Sequence, residues 1–290
     1  MIVAVVVTYS APASVLDACL DSLDRAGGVD HIIVVDSGGT ANLRRVPDSV
    51  VGVELIRIPN RGYGAAANVG FARAAALGAT SVSLLNDDIV VHDGWIEPLV
   101  AEMTTERVGA AQPKLLVAGA EPPIINSLGV SIGLDGAGTD IGFGEIDRSG
   151  GDSSPLDIFT GGAVVFAPDF LADTGGFDER YFLYYEDVDL ARRGRSLGWR
   201  YRLVPTSVVE HIGGASTGGE PATTRYYQER NRLWVSFRHA GWSTILRATW
   251  LSIRRLRHHP RAVHRRALLA GIAGAPKLLT ERLRGADQRP

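Results

Sequence analysis

The apolar run at 82–85 breaks off into Asn86-Asp87-Asp88 and resumes as Ile89-Val90. A run that short and that apolar reads as a buried strand. A strand ending in adjacent carboxylates puts both at the sheet edge, where ligands of open α/β sheets collect. Two like charges side by side repel unless a cation or hydrogen bonds offset them. A hard divalent ion such as Mg²⁺ or Mn²⁺, bridging to a phosphate, does so with few protein oxygens. Asn-Asp-Asp is also good turn chemistry, and this stretch alone leaves both readings open.

The segments before it set the frame. Residues 2–8 are β-branched and apolar, the pattern of a strand buried on both faces. Residues 14–26 carry Val15, Leu16, Cys19, Leu20 and Leu23 at helical spacing, with Ser14 as the expected N-cap. A second strand at 31–36 again ends in a carboxylate, Asp36, and Ser37-Gly38-Gly39-Thr40 turns away from it. A third strand is expected at 53–58, then the loop Asn60-Arg61-Gly62-Tyr63-Gly64 and an alanine-rich helix at 65–77. This β-α-β-β-α-β order implies a largely parallel sheet with right-handed crossovers. The glycine loop precedes a helix whose N-terminus suits an anion. Its spacing matches neither common phosphate-loop motif, and it reads more readily as a turn.

The second half is less periodic. A helix is expected at 95–103, and residues 117–157, rich in Gly, Asp, Ser and Pro, read as strands with long loops over the site. Gly161-Gly162 open a strand and allow a close backbone approach to a ligand, or form a bulge. Glu186-Asp187-Val188-Asp189 follow Phe182, Leu183, Tyr184 and Tyr185 and lead into a helix at 188–197. Acids in a first helical turn favour the helix dipole. A carboxylate held among aromatic rings is also how a general base is tuned. Strands are expected at 200–205 and 208–211, the second ending in His211 before Gly213-Gly214.

Composition narrows the class. The chain has 290 residues, ample for a large core. Cys19 is its one cysteine, which excludes an intrachain disulfide and a cysteine zinc site and fits a reducing compartment, the cytoplasm. The first residues read as a strand, not a signal peptide, and no apolar run reaches the roughly 18 residues that span a bilayer. A net charge of -2 hides an asymmetry: half of the 30 Lys and Arg fall after residue 224, against only Glu229, Glu281 and Asp287 of the 32 Asp and Glu. An acidic body carries a basic tail.

Taken in order, the segments VVVTYS (5–10), VVDSGG (34–39), NRGYGAAAN (60–68), LLNDDIVV (84–91), FTGGAVVF (159–166), GGFDERYFLYYEDVDLARRGRSLGW (175–199) and the late His211 resemble glycosyltransferase family 2, the inverting enzymes with the GT-A fold. The resemblance covers about residues 2–240. With YYQERN (226–231), it leans toward bacterial rhamnosyltransferase-like and galactofuranosyltransferase-like members. It implies an α/β, GT-A fold: a nucleotide-binding, mostly parallel sheet, a mixed acceptor-side half and a C-terminal helical appendage. The implied division is a catalytic domain at 1–224, split into a nucleotide-sugar half (1–110) and an acceptor half (111–224), then a basic helical region at 225–290.

Roles follow from the resemblance residue by residue. Thr8, Tyr9, Asp36, Asn60, Arg61, Gly64 and Asn68 look like the nucleotide-sugar pocket, with Asn86 and Asp87. Asn86-Asp87-Asp88 resembles the Asp-x-Asp motif with Asn in place of its first acid, so metal binding falls on Asp88, completed by His211. Gly161 and Gly162 look like the loop facing sugar and acceptor. Asp187 looks like the catalytic base, with Glu186 as its neighbour and alternate. The implied cofactor is Mn²⁺ or Mg²⁺. The implied partners are a nucleotide-diphosphate sugar donor and a glycan or lipid-linked acceptor. A non-catalytic nucleotide-sugar or glycan-binding module on the same fold is the rival reading.

In the tail, Trp234, Phe237, Trp242, Ile245, Leu246 and Trp250 interleave with Arg232, Arg238, Arg247, Arg254, Arg255 and Arg257, and the basic run continues through His258 and His259. This suits an interfacial helix on anionic lipid, which would put the protein on the inner face of the plasma membrane. A helical pair packed on the body with a solvated basic face is the equal alternative. Nothing in the chain resembles a base-reading module, so nucleic acid is not expected as a partner.

Overall fold

The structure, a computed structural model, describes residues 1–39, 52–148, 150–213, 221–258 and 260–287. Thr40, Gly214 and His259, named above, lie outside those residues.

The first half runs β1 (Ile2–Thr8), α1 (Ala13–Ala26), β2 (His31–Asp36), β3 (Gly52–Arg57), α2 (Tyr63–Ala76) and β4 (Ser81–Asn86), in the expected order. β1 pairs in parallel with both β2 and β4, and β2 with β3. Both faces of β1 are buried. Val3, Val5 and Val7 join a core with Phe71 and Phe166, while Ala4 and Val6 join Leu16, Leu20 and Leu23 on the other side. A strand covered on both faces has no need of polar alternation. α2 lies so close that a Cβ on Gly70 would meet Val5 at 2.2 Å. The parallel register aligns Thr8 with Asp36 and Val7 with Asn86, so three strand ends share one edge.

One helix start differs from expectation. α1 begins at Ala13 with Pro12 in the cap position and no side-chain cap. The Pro12 carbonyl already accepts from Val15 N at 2.9 Å, which takes Ser14 inside the helix.

The second half runs β5 (Ile89–Val91), α3 (Ile96–Glu102), β6 (Val108–Val117), β7 (Ile125–Ser127), β8 (Val130–Ile132), β9 (Gly138–Asp140), β10 (Ser154–Leu156), β11 (Ala163–Phe166), α4 (Pro168–Thr174), α5 (Glu186–Ser196) and β12 (Arg200–His211). The main sheet has the order β10-β12-β6-β11-β4-β1-β2-β3, with β5 on β12 and β7 on β6. β11 runs antiparallel to β4 and β6, so this half is mixed. The two strands expected at 200–205 and 208–211 are one strand, shifted in register between Val204 and Val208. That continuity matters, because it carries His211 to the edge where β4 ends.

The tail forms α6 (Pro221–His239), α7 (Trp242–Arg255) and α8 (Arg261–Asp287), three helices where a pair was one of the readings. Leu233, Phe237, Ile245, Ala248, Leu268 and Leu278 form their shared core, and Val235 reaches into the core of the sheet. No described helix is long and apolar enough to cross a membrane.

Candidate active site

A cleft of about 1340 Å³ opens at the carboxyl edge of the sheet. Tyr9, Ser37, Asn60 and Asn86 line one part of it, Gly161, Gly162, Glu186 and Asp187 another, and His211 also faces it.

At the end of β4 the chain turns through Asp87 and Asp88 into β5. β5 pairs with β12, setting Ile89 opposite His211, and Ile212 N donates to the Asp88 carbonyl at 2.9 Å. His211 Nε2 therefore stands 3.2 Å from Asp88 Oδ2. His211 Nδ1 lies 3.1 Å from Asn126 Oδ1. With Nδ1–H donating to that amide oxygen, Nε2 keeps its lone pair toward Asp88. Asp88 Oδ1 and Asn86 Oδ1 are buried and lack hydrogen-bond partners. A carboxylate, an imidazole and an amide oxygen with unused lone pairs fit a small divalent cation such as Mn²⁺ or Mg²⁺. Among the described residues no group of three or more His, Cys, Asp and Glu comes together as a metal cluster.

The second acid cluster opens α5. Asp187 is half-buried, and its carboxylate is held from two sides: Oδ2 accepts from Gly161 N at 3.0 Å and Oδ1 from Val188 N at 2.8 Å. Burial raises its pKa, and those two amides offset part of the rise. Burial raises Glu186 as well, and the neighbouring Asp187 charge adds to it. Glu186 Oε2 is buried without a partner. Two adjacent acids that resist ionising together can hold one proton near neutrality. Tyr63 fixes the opposing loop by donating its hydroxyl to the Gly161 carbonyl at 2.6 Å. Burial, then the Glu186 and Asp187 charges, push that hydroxyl well above its ordinary pKa, so it stays a donor.

The remaining residues expected here stand outside the cleft lining, most of them buried behind it and Arg61 exposed beside it. Thr8 is buried, and its carbonyl accepts from Ser37 N and Ser37 Oγ. Asp36 is fully buried, with Oδ1 accepting from Gly38 N and Gly39 N. Asp87 is fully buried beneath the turn. Arg61 pairs with Glu179 at 2.6 Å. Asn68 bridges Phe177 through both backbone groups, and a Cβ on Gly64 would meet the Phe177 Cβ at 2.9 Å. The 60–68 segment thus clamps the 177–182 loop more than it faces the cleft, and only Asn60, Gly62 and Tyr63 of it line the cavity.

That loop is under backbone strain. Phe182, Tyr184 and Tyr185 all have φ between 67° and 69°, a conformation bulky residues rarely adopt. Gly62 (φ 95°) lies under it, where a Cβ would meet the Phe182 carbonyl oxygen at 2.2 Å. α6 holds carbonyls of this loop from the other side. Asn231 Nδ2 lies within 2.9 Å of the carbonyls of Tyr181, Leu183 and Tyr184, and Arg230 Nη2 donates to those of Arg180 and Tyr181. Sequence reading marked YYQERN as a pattern without a role; the pattern brings the two residues that shape the run into Asp187.

Asp189, expected to serve the helix start, does something else. It is fully buried and meets Arg193 Nε (2.8 Å), Arg238 Nη1 (2.9 Å), His239 Nε2 (2.7 Å) and the Tyr181 hydroxyl (3.2 Å). Burial alone would raise its pKa, but the His239 hydrogen bond and the three cationic neighbours outweigh it and hold the carboxyl well below its ordinary value. It ties α5 to α6.

Residues 3–133 match the model of glycosyl transferase family 2. That stretch runs from β1 through β8 and includes the acids at 86–88. An N-acetylglucosaminyl-diphospho-decaprenol L-rhamnosyltransferase of Mycobacterium tuberculosis is 28% identical to the chain over 267 residues, covering 82% of this chain and 85% of the relative. Among solved structures, GalNAc-T7 with UDP, GalNAc and Mn²⁺ superposes with a TM-score of 0.68 at 14% identity, over 100% of this chain. This chain spans 58% of that one. The mannosyltransferase PcManGT from Pyrobaculum calidifontis, with GDP-Man and Mn²⁺, gives 0.56 at 17% identity, over 99% of this chain and 79% of that one. TarS 1-349 of S. aureus, with UDP-GlcNAc, gives 0.57 at 13% identity, over 97% and 82%. The chain has the GT-A fold of these glycosyltransferase structures, and its strand-end acids lie in the turn from β4 into β5, which pairs with β12.

Proposed function

We propose that the protein is an inverting glycosyltransferase that moves rhamnose or a related hexose from a nucleotide-diphosphate donor to a glycan or lipid-linked acceptor of the cell envelope. One observation carries this reading: Asp187, held by the Gly161 and Val188 amides, lines the same cleft as Asn86 and His211. The name of the 28% identical relative supports the rhamnose class and an acceptor in which a diphosphate joins a sugar to a polyprenyl chain.

Asp187 takes the proton of the acceptor hydroxyl as that oxygen attacks the anomeric carbon. Attack comes from the face opposite the leaving diphosphate, so one displacement inverts the centre. Glu186 carries the shared proton and keeps Asp187 ionised. The Gly161-Gly162 backbone sets the sugar against the base. Tyr9 and Asn60 contact the nucleotide, with Thr8, Asp36, Gly64, Asn68 and Asp87 shaping that end from behind and Arg61 from the exposed rim. Asp88 and His211, beside Asn86, would hold Mn²⁺ or Mg²⁺, which when bound would supply Lewis-acid stabilisation of the departing charge. Residues 1–224 form the catalytic unit, and 225–290 brace it. The exposed Trp242, Leu246, Trp250 and Ile253 of α7 support a peripheral place on the inner face of the plasma membrane.

The test is a transfer assay. A panel of nucleotide-diphosphate sugars is offered with an N-acetylglucosaminyl diphosphate on a short prenyl chain, with and without Mn²⁺. The expected product has the anomeric configuration opposite to the donor's. A retained configuration, or full turnover by Asp187→Asn, would overturn the mechanism.

A further inference from the structure

The part of the cleft wall built by the tail is basic beyond what the transfer step uses. Arg225 of α6, Arg254 and Arg255 of α7, His258 just after α7, and His264 of α8 all line it. Among the described residues of these helices, Glu229 alone brings an acid to that wall, and it is engaged by Arg232, Ser252 and Arg255. His264 is 7% exposed, and its Nδ1 is buried without a hydrogen-bond partner. Burial first, then the charges of Arg225, Arg255 and His258, lower its pKa. Glu229 already offsets Arg255, and a phosphate reaching this wall would meet further cationic donors around a buried, unpartnered nitrogen.

The geometry points to a phosphate-binding subsite in which Arg225, Arg254, Arg255, His258 and His264 hold the diphosphate of a prenyl-diphosphate-linked acceptor. This rests on the transferase reading above. Two features favour the acceptor's diphosphate over the donor's. The donor end is built from strand ends of the sheet, around Asn86 and His211, whereas the basic wall comes from the three tail helices. α7 also joins charge to grease. Trp242, Leu246, Trp250 and Ile253, spaced to share one side of the helix, are 64%, 69%, 58% and 51% exposed, and Arg254 stacks on Trp250 at 4.6 Å. An anionic headgroup followed at once by hydrocarbon needs that juxtaposition, and a free phosphate does not.

The probe is inorganic diphosphate, titrated calorimetrically into the full chain in EDTA so that metal-held binding is removed. Wild type should bind, and Arg225→Ala/Arg254→Ala should bind at least about tenfold more weakly, since charged hydrogen bonds are lost. Both arginines are exposed, so the double variant should keep its thermal midpoint. The same variant should raise KM for the prenyl-diphosphate acceptor more than it lowers kcat. Diphosphate binding in EDTA that is equal in wild type and variant, or absent from wild type, overturns the subsite. Loss of sedimentation with phosphatidylglycerol vesicles in the variant, with diphosphate binding unchanged, assigns the wall to a lipid surface and also overturns it. The two readings fail separately. Diphosphate binding lost in the variant, with no prenyl-diphosphate acceptor ever glycosylated, keeps the subsite and sinks the transfer reading. Transfer with an unchanged acceptor KM and unchanged diphosphate binding does the reverse.

Discussion

His211 Nε2 and Asp88 Oδ2 stand 3.2 Å apart, brought together by the antiparallel pairing of β5 with β12. If that pair holds a divalent ion, His211→Ala should raise the Mn²⁺ concentration for half-saturation, and Asp88→Ala should abolish Mn²⁺ binding seen by calorimetry. Asn126→Ala removes the partner that orients the ring. Its Mn²⁺ affinity should fall by about 10–100-fold, the usual cost of losing such support. Equal Mn²⁺ isotherms in all three variants would remove the ion from this place.

Asp187→Asn keeps the shape and one of the two backbone contacts, since its NH₂ cannot accept from Gly161 N or Val188 N, and it cannot take the acceptor's proton. General-base catalysis is typically worth about 10²–10⁴-fold, so kcat should fall by that order while donor affinity changes little. A fall below about tenfold in Asp187→Asn, beside a large fall in Glu186→Gln, would move the base to Glu186.

Glu186 gives a pH signature of its own. Its pKa is raised on folding, so the native state binds the extra proton. The stabilisation is complete below the ordinary glutamate value and is lost as pH rises through the folded value. Glu186→Gln should therefore melt higher than wild type under alkaline conditions, with the gap closing in acid. Parallel melting curves across the pH range would refute the burial argument.

Asp189 has the opposite sign. Its folded pKa is held down, so its stabilisation is present above the ordinary aspartate value and is lost as pH falls through the folded one. Asp189→Ala takes the shared anion from Arg193 and His239, while Arg238 keeps Asp178 and Glu281, and should cost about 3–5 kcal/mol in urea unfolding at neutral pH. Asn231→Ala should cost about 2 kcal/mol and also lower kcat, because it releases the carbonyls that shape the approach to Asp187. Normal stability with normal kcat in Asn231→Ala would separate α6 from the site.

Membrane attachment is best tested by point changes, since α8 and α6 share a core and removing the tail would expose it. Trp242→Ser/Trp250→Ser should reduce co-sedimentation with anionic vesicles while leaving the fold intact, and added salt should weaken what binding remains. Equal sedimentation of this variant and wild type would count against α7 as the contact.

The strand order of the first half was legible because burial on both faces forces continuous apolar runs such as IVAVVVT, and parallel pairing then sends Thr8, Asp36 and Asn86 to one edge. The acid clusters at 86–88 and 186–187 were equally plain, since adjacent carboxylates beside apolar runs stand out whatever the fold. Only tertiary structure decided what each group meets. Nothing local distinguishes Asp189, bound by Arg238 and His239 of α6, from an acid that caps its own helix. Arg61 and Asn68 belong to the glycine loop and its helix by sequence, yet packing turns them to Phe177 and Glu179. His211 was a lone histidine until one continuous β12 carried it to Asp88, and the basic tail was a surface until α6, α7 and α8 folded it into the cleft wall. Local pattern records what a residue needs around it; the partner that meets the need comes from long-range packing, which no single stretch of sequence contains.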